Sequence, residues 1–144
     1  MLIPDVNVLV AAHRPDGHPA GDDVREWLTD RLTAVERVGV DTHVLSAVVR
    51  IVTNPRIYEH PSSRTAALIF CDTVLEAPSA VTVAPSPRHW SLFASYVQEL
   101  RLTGNDVSDA YLAALAVDHE ATFASLDRGF RRFPGLRLVD PLAA

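Results

Sequence analysis

The sequence predicts an α/β fold: a central, mainly parallel β-sheet flanked by α-helices. Two observations lead there. Short apolar runs alternate with longer stretches of helical periodicity, the order expected of strand–helix–strand units. Acidic residues recur where those runs end, and ligands of open α/β sheets bind outside the carboxyl ends of the strands.

The elements follow in order. Leu2 to Asp5 reads as the first strand and Asn7 to His13 as a short helix. Pro15-Asp16-Gly17 is a turn signal. His18 to Thr33 places Val24, Trp27, Leu28 and Leu32 at helical spacing. Arg37 to Val40 is a short strand. Thr42 to Val52 is a third helix, ended by Asn54-Pro55 because proline disfavours helical backbone in the residue before it. Ser62 or Ser63 caps a fourth helix running to about Leu75. Ala80 to Ala84 is a strand, broken by Pro85-Ser86-Pro87. Arg88 to Leu100 is a helix with Trp90, Phe93 and Val97 on one face. Asn105 to His119 is the next, with Ala110, Leu112, Ala113, Leu115 and Ala116 packed inward. Thr122 to Ser125 is a strand, Arg128 to Phe133 a helical turn, and Arg137 to Val139 the last strand. The most loop-like segment is Asn54 to Pro61. With no repeat or linker, residues 1–144 are expected to form one domain.

Composition narrows the class. Hydrophobic residues make up 48% and charged residues 22%, ordinary for a soluble globular chain. No apolar run approaches a membrane span, and Met1 leads straight into a strand with no basic start. A cytoplasmic protein with no leader is expected. Cys71 is the only cysteine, so no internal disulfide can form, and its apolar neighbours predict a core position. A net charge of −5 argues against an open basic surface that tracks a phosphate backbone. It does not argue against an acidic pocket filled by a cation, which would reverse the local field.

The candidate site is a set of carboxylates far apart in sequence. Asp5 ends the first strand, Asp127 follows Thr122 to Ser125, and Asp106 and Asp109 open the Asn105 helix. Each also suits a helix start, as a cap or against the helix dipole. Asp109 fits that role least, because it borders the small-residue face Ala110, Ala113 and Ala114. If the carboxylates converge, they make oxygen ligands for a hard cation such as Mg²⁺ or Mn²⁺. Like charges would raise one or more of their pKa values. The cation would relieve that repulsion and assist phosphodiester chemistry. Asn7 either holds Asp5 or water by hydrogen bond, or is a turn residue. Arg50, Arg56, Arg128, Arg131 and Arg132 are available for phosphate contacts.

Other chemistries fit less well. The six histidines lack zinc-type spacing, the glycines form no phosphate loop, and Ser46, Ser108 and Ser125 have no nucleophile-elbow context. A phosphotransferase with a nucleophilic Asp would want a second acid two residues on, where Asn7 stands.

Five segments together resemble the PIN-domain ribonuclease toxins of VapBC toxin–antitoxin modules. They are Ile3-Pro4-Asp5-Val6-Asn7-Val8-Leu9, Arg50-Ile51-Val52-Thr53-Asn54-Pro55-Arg56, Asp109-Ala110-Tyr111-Leu112-Ala113-Ala114-Leu115-Ala116, Ser125-Leu126-Asp127-Arg128-Gly129-Phe130 and Phe133-Pro134-Gly135-Leu136. Each is weak alone; in this order they cover nearly the whole chain. The resemblance implies a PIN fold and a Mg²⁺- or Mn²⁺-dependent endoribonuclease. It further implies a homodimer neutralised by a cognate VapB-type antitoxin, whose arginine would enter the carboxylate pocket. Asp5, Asp109 and Asp127 match the family's acidic positions, and Asp106 a further acid of some members. Asn7 and Ser125 match its orienting polar residues, with Arg128 placed to hold substrate phosphate. Many members carry a Glu where this chain has Ala47, so Asp106 or Asp41 would have to compensate. That departure supports the alternative of a catalytically weakened RNA- or antitoxin-binding module. Trp27, Leu28, Ile57 and Tyr58 are candidates for an apolar antitoxin groove. Which RNA is cut is not legible.

Overall fold

A computed structural model of the protein describes residues 1–143. Strands β1 (Leu2–Pro4), β2 (Val38–Val40), β3 (Ala80–Thr82), β4 (Thr122–Ala124) and β5 (Arg137–Val139) form one sheet in the order β3-β2-β1-β4-β5. Every pairing is parallel, with Leu2 opposite both Val38 and Thr122. Helices α1 (Val6–His13), α2 (Gly21–Thr33), α3 (Thr42–Val52), α4 (Arg64–Leu75), α5 (His89–Glu99) and α6 (Asp106–Asp118) make the connections. Parallel neighbours need such crossovers, and they cover both faces of the sheet. All residues of β1 and β2 are buried accordingly.

The topology creates one reversal. From β1 the chain steps outward to β2 and β3, then returns across the sheet so that β4 pairs with the other side of β1. Beyond the carboxyl ends of β1 and β4 the chain therefore diverges, leaving the crevice in which ligands of such sheets sit.

Local chemistry accounts for the element ends. β1 stops at Pro4 and not at Asp5, because Asp5 becomes the N-cap of α1: its carboxylate accepts from the Val6 N–H at 2.7 Å. β4 likewise stops before Ser125. Asp41 caps α3 by accepting from His43 N–H at 2.8 Å, and Ser63 caps α4 by accepting from Ala66 N–H at 3.0 Å. α2 starts at Gly21, three residues later than expected, because Pro15–Gly17 forms a 3-10 turn and His18 ends it.

The core runs continuously under the helices. The expected inward face of α6 is buried, from Ala110 through Leu112 to Ala116, and its alanines let α6 lie close to the sheet and α5. Phe123 and Phe130 are fully buried with ring centroids 4.7 Å apart, each worth about 1.5–3 kcal/mol in transfer free energy. Cys71 is buried and free, as expected. Trp90 and Phe93 share a face, with ring centroids 5.5 Å apart, but Trp90 is 71% exposed, and the buried residues of α5 are His89 and Tyr96. One expectation is corrected: Leu28 is a core residue at 3% exposure and offers little surface to a groove, and Trp27 packs partly against the same core. No helix among the described residues is long and apolar enough to cross a membrane.

The start of α2 depends on a glycine. A Cβ at Gly21 would lie 2.3 Å from the Pro15 carbonyl oxygen, so backbone would have to move. Gly21→Ala should destabilise the protein by about 1–3 kcal/mol, the usual cost of forcing extra volume into a packed site. Urea denaturation of the variant beside the parent checks this; equal midpoints would show that the turn yields freely.

Candidate active site

The site is built on Asp5. It leaves β1 at the reversal, with its backbone N–H donating to Ala124 O of β4 at 2.8 Å. The residue is 5% exposed. Ser125, just past β4, donates its hydroxyl to Asp5 Oδ2 at 2.6 Å, while Val6 N–H satisfies Oδ1. Asn7 then locks the serine: its amide donates to Ser125 Oγ at 3.2 Å, and its Oδ1 accepts from Leu126 N–H at 3.2 Å. Asp127 N–H also donates to Ser125 Oγ, at 3.0 Å. Asn7 is therefore a clamp between the ends of β1 and β4, not only a turn residue.

The other acids arrive from two elements. α6 precedes β4 and runs back across the sheet, which brings its first turn to the carboxyl ends of the strands. Asp106 and Asp109 sit in that turn, where the helix dipole favours anions. Asp127 caps the 3-10 turn Arg128–Arg132 by accepting from Gly129 N–H at 2.8 Å, and it remains exposed.

Electrostatics ties them together. Burial pushes Asp5 up from 3.8 to about 6. The Ser125 and Val6 hydrogen bonds oppose that rise, and the charges of Asp109 and Asp127 add to it. Burial also raises Asp109; Arg132 pulls it back, and Asp127 and Asp106 push it further up. These acids share one field. They are not drawn together as a ligand set, however: among the described residues no group of three or more His, Cys, Asp and Glu is placed to hold a metal ion. Arg132 stands beside two of them instead. Its Nη2 donates to Asp109 Oδ2 at 3.0 Å and lies 3.7 Å from Asp106 Oδ1, while Nη1 donates to Gly129 O at 2.9 Å. The guanidinium supplies the positive charge that the acids require.

The donor set still suits a hard cation. It consists of carboxylate oxygens and hydroxyls, with no thiolate or imidazole among them, and its most buried member is disfavoured as an anion until a positive charge offsets its neighbours.

Arg128, expected to hold substrate phosphate, is exposed, while Arg132, one of the clustered arginines, pairs with the acids. Its spacing after Asp127 was the available signal, since a helical turn returns the fifth residue toward the acids. Asp41 does not compensate for the absent Glu. It is buried, and its oxygens are taken by His43 N–H and by the Tyr111 hydroxyl at 3.1 Å. Burial and that carboxylate together push the Tyr111 phenol up to about 12. Ala47 lines a cavity of about 210 Å³ between α3 and α6, together with Asp5, His43, Arg50 and Asp109. Of the residues expected to form an antitoxin groove, Leu28 lines a cavity beside α2 and α4, and Tyr58 lines a different cleft beside α1.

With this geometry in hand, the relatives are informative. Residues 2–136 match the PIN domain model. The chain is 42% identical over 142 residues to VapC ribonuclease Mb2897 of Mycobacterium bovis, covering 99% of this chain and 96% of that one. The chain belongs to the PIN-domain family, among its VapC members. It is also 40% identical to ribonuclease VapC25 of Mycobacterium tuberculosis over 98% of this chain and 99% of the relative. The fold agrees with the solved VapBC2 from Rickettsia felis bound to a promoter DNA fragment, at TM-score 0.69, 17% identity and coverage of 96% and 97%. It agrees equally with FitAcB from Neisseria gonorrhoeae, at TM-score 0.66, 18% identity and full coverage of both chains. The expected PIN architecture is thus present.

The raised Asp5 predicts a pH effect on the metal-free protein. Between 3.8 and about 6 the folded chain binds a proton that the unfolded chain releases, so stability falls as pH rises through that window and stays lower above it. The loss is about 3 kcal/mol at ~1.36 kcal/mol per pKa unit. Asp5→Asn should therefore be more stable than the parent at pH 7.5 in chelator, and the gap should close near pH 4. Urea titrations at the two pH values measure it; a gap independent of pH would show that Asp5 is not held at a raised pKa.

Proposed function

We propose that this chain is a divalent-cation-dependent endoribonuclease toxin, using Mg²⁺ or Mn²⁺ and neutralised by a VapB-type antitoxin. One observation carries the reading. Asp5 is buried at the reversal of a parallel sheet and held by Ser125; that burial raises its pKa, and the charges of Asp109 and Asp127 add to the rise. A buried anion costs free energy unless hydrogen bonds or a cation offset it, and Asp5 remains raised although both its oxygens are hydrogen-bonded. Membership of the VapC group, whose curated relatives are named ribonucleases, supports the reaction class.

Asp5, Asp109 and Asp127 would hold the ion, with Asp106 at the rim. When bound, the cation would supply charge for the developing phosphorane and acidify the attacking water. The remaining work falls to the chain itself. Ser125 fixes the Asp5 carboxylate, and Asn7 fixes Ser125. Arg132 holds Asp109 in place and lowers the repulsion within the cluster. Arg128, exposed beside Asp127, and Arg50, in the cavity wall next to Asp5, would meet substrate phosphate. As a toxin of this kind the protein would act on RNA in the cytoplasm, as a homodimer of single-domain subunits spanning 1–144.

A binding-only module is favoured by one observation: Ala47 leaves unfilled space beside Asp5 and Asp109 where many relatives would carry a Glu. The two readings separate on one experiment. Purified protein free of antitoxin is incubated with total RNA in Mg²⁺, in Mn²⁺ and in EDTA, beside Asp5→Ala. Discrete fragments that need the ion, and that fall by more than the ~100-fold cost of losing an outer-shell partner in Asp5→Ala, are expected. A folded sample that binds RNA without cutting it would establish the binding module.

Ser125→Ala tests the orienting role. It should weaken Mn²⁺ binding, read by calorimetry, and cleavage by about 10–100-fold while circular dichroism is unchanged. Unaltered ion affinity would mean that Asp5 needs no second group to position it.

A further inference from the structure

Asn7 and Asp127 belong to two neighbourhoods. Besides flanking the carboxylates, they line a separate cleft of about 240 Å³ with Val10, Ala11, Arg14, His18, Tyr58 and Leu126. Its wall is built around Tyr58, in the loop between α3 and α4. The Arg14 guanidinium lies over the ring, 4.3 Å from its centroid. Gly17 allows the ring's close approach, since a Cβ there would stand 3.2 Å from it. Arg14 is itself held by both oxygens of Asp16, at 3.1 and 3.0 Å, and by Ser62 at 3.3 Å.

The chemistry of the lining selects its ligand. Arg14 already has an anion in Asp16, and Val10, Ala11 and Leu126 are apolar, so the cleft is poorly suited to a phosphate. It is smaller than the ~300–1,000 Å³ pockets of drug-sized ligands, and so takes one small ring system. Polar groups stand at its edges. His18 Nδ1 accepts from Ala20 N–H at 3.0 Å, which puts the ring proton on Nε2 as a donor. Asn7 keeps one amide hydrogen beyond the one given to Ser125, and Asp127 offers an acceptor oxygen. An aromatic wall, an apolar floor and a few edge-directed polar groups are what an unpaired nucleobase requires.

We propose that this cleft is a base-recognition subsite: one unpaired base flanking the scissile phosphate packs against the stacked Arg14–Tyr58 pair, and His18 with Asn7 reads its edge. Tyr58 is then a specificity-determining residue. The inference rests on the ribonuclease reading and names where that enzyme's sequence preference resides. Continuity fixes the occupant, since a chain whose phosphate meets the acids passes Asn7 and Asp127 on its way into the cleft.

The test uses a randomised single-stranded RNA, end-sequenced after cleavage by wild type, Tyr58→Ala, Tyr58→Phe and His18→Ala. Binding of the same RNA is read separately by fluorescence anisotropy, each substitution being placed in an Asp5→Asn background. Wild type should show a dominant base at one position beside the cut. Tyr58→Phe keeps the ring and should keep the preference. Tyr58→Ala should flatten it and weaken binding about tenfold with unchanged circular dichroism, in line with the loss of one stacked base. His18→Ala should change which base is preferred more than it changes affinity. Cleavage at the same sites with unchanged affinity in Tyr58→Ala would overturn the subsite while leaving the ribonuclease intact. The same result with loss only of antitoxin neutralisation would overturn it and give the cleft to the protein partner. A wild type that neither binds nor cuts RNA would overturn both readings.

Discussion

The structure depends on one buried carboxylate. Asp5 sits where β1 ends, and that position makes several demands at once. Its backbone N–H is donated to β4, its Oδ1 caps α1, and its Oδ2 takes the Ser125 hydroxyl. A carboxylate with both oxygens hydrogen-bonded can be kept out of water, whereas an unpaired one cannot. The ends of β1 and β4, the start of α1 and the turn after β4 are thereby fixed relative to one another by a single side chain and the Ser125–Asn7 clamp beside it.

The second constraint is charge. Asp5, Asp106, Asp109 and Asp127 act on one another by charge without being drawn into one ligand set. Arg132 partly offsets that charge by pairing with Asp109 and standing close to Asp106. The guanidinium is positioned by its own turn, through Gly129 O, and lies 4.8 Å from the Phe133 ring centroid. A cation would offset the remaining charge, and Asp5, whose pKa burial raises and its neighbours' charges raise further, would gain from it. By contrast, a helix cap and a tyrosine hydroxyl take up the oxygens of Asp41. Two buried aspartates at the ends of adjacent strands thus have different fates, decided by what faces them.

Where local pattern and tertiary packing disagreed, packing won for identifiable reasons. Trp90 shares a helical face with Phe93 and Val97, yet it lies at the first turn of α5, and the inward positions go to His89 and Tyr96. His89 lies within hydrogen-bonding distance of Tyr111 O at 2.9 Å, and Tyr96 donates its hydroxyl to Pro134 O at 2.6 Å. Polar tips that find backbone partners make these residues good core members despite their composition. Leu28 is expected beside Trp27 in a surface groove, but with Val24 it is one of the residues of α2 that reach the core. Arg128 and Arg132 are equivalent on paper. Arg128 opens the 3-10 turn and faces solvent, while Arg132 closes it and returns to the acids.

From its order of residues alone, this chain determined its α/β class, the span of each element to within a few residues, and the strand- and helix-end positions of Asp5, Asp106, Asp109 and Asp127. Those features are local: they follow from apolar periodicity, capping chemistry and proline, which act over a turn of helix or a single strand. Strand order, the reversal beside β1, and the pairing of Arg132 rather than Arg128 with the acids are not local. They depend on parallel pairing between segments more than a hundred residues apart, as with Leu2 and Thr122, and on which side chains remain unpaired once the core has closed. The cleft beside Tyr58 belongs to the same class, because Asn7, Gly17, Tyr58 and Asp127 share a wall only after α1, the turn before α2 and the loop after α3 have docked.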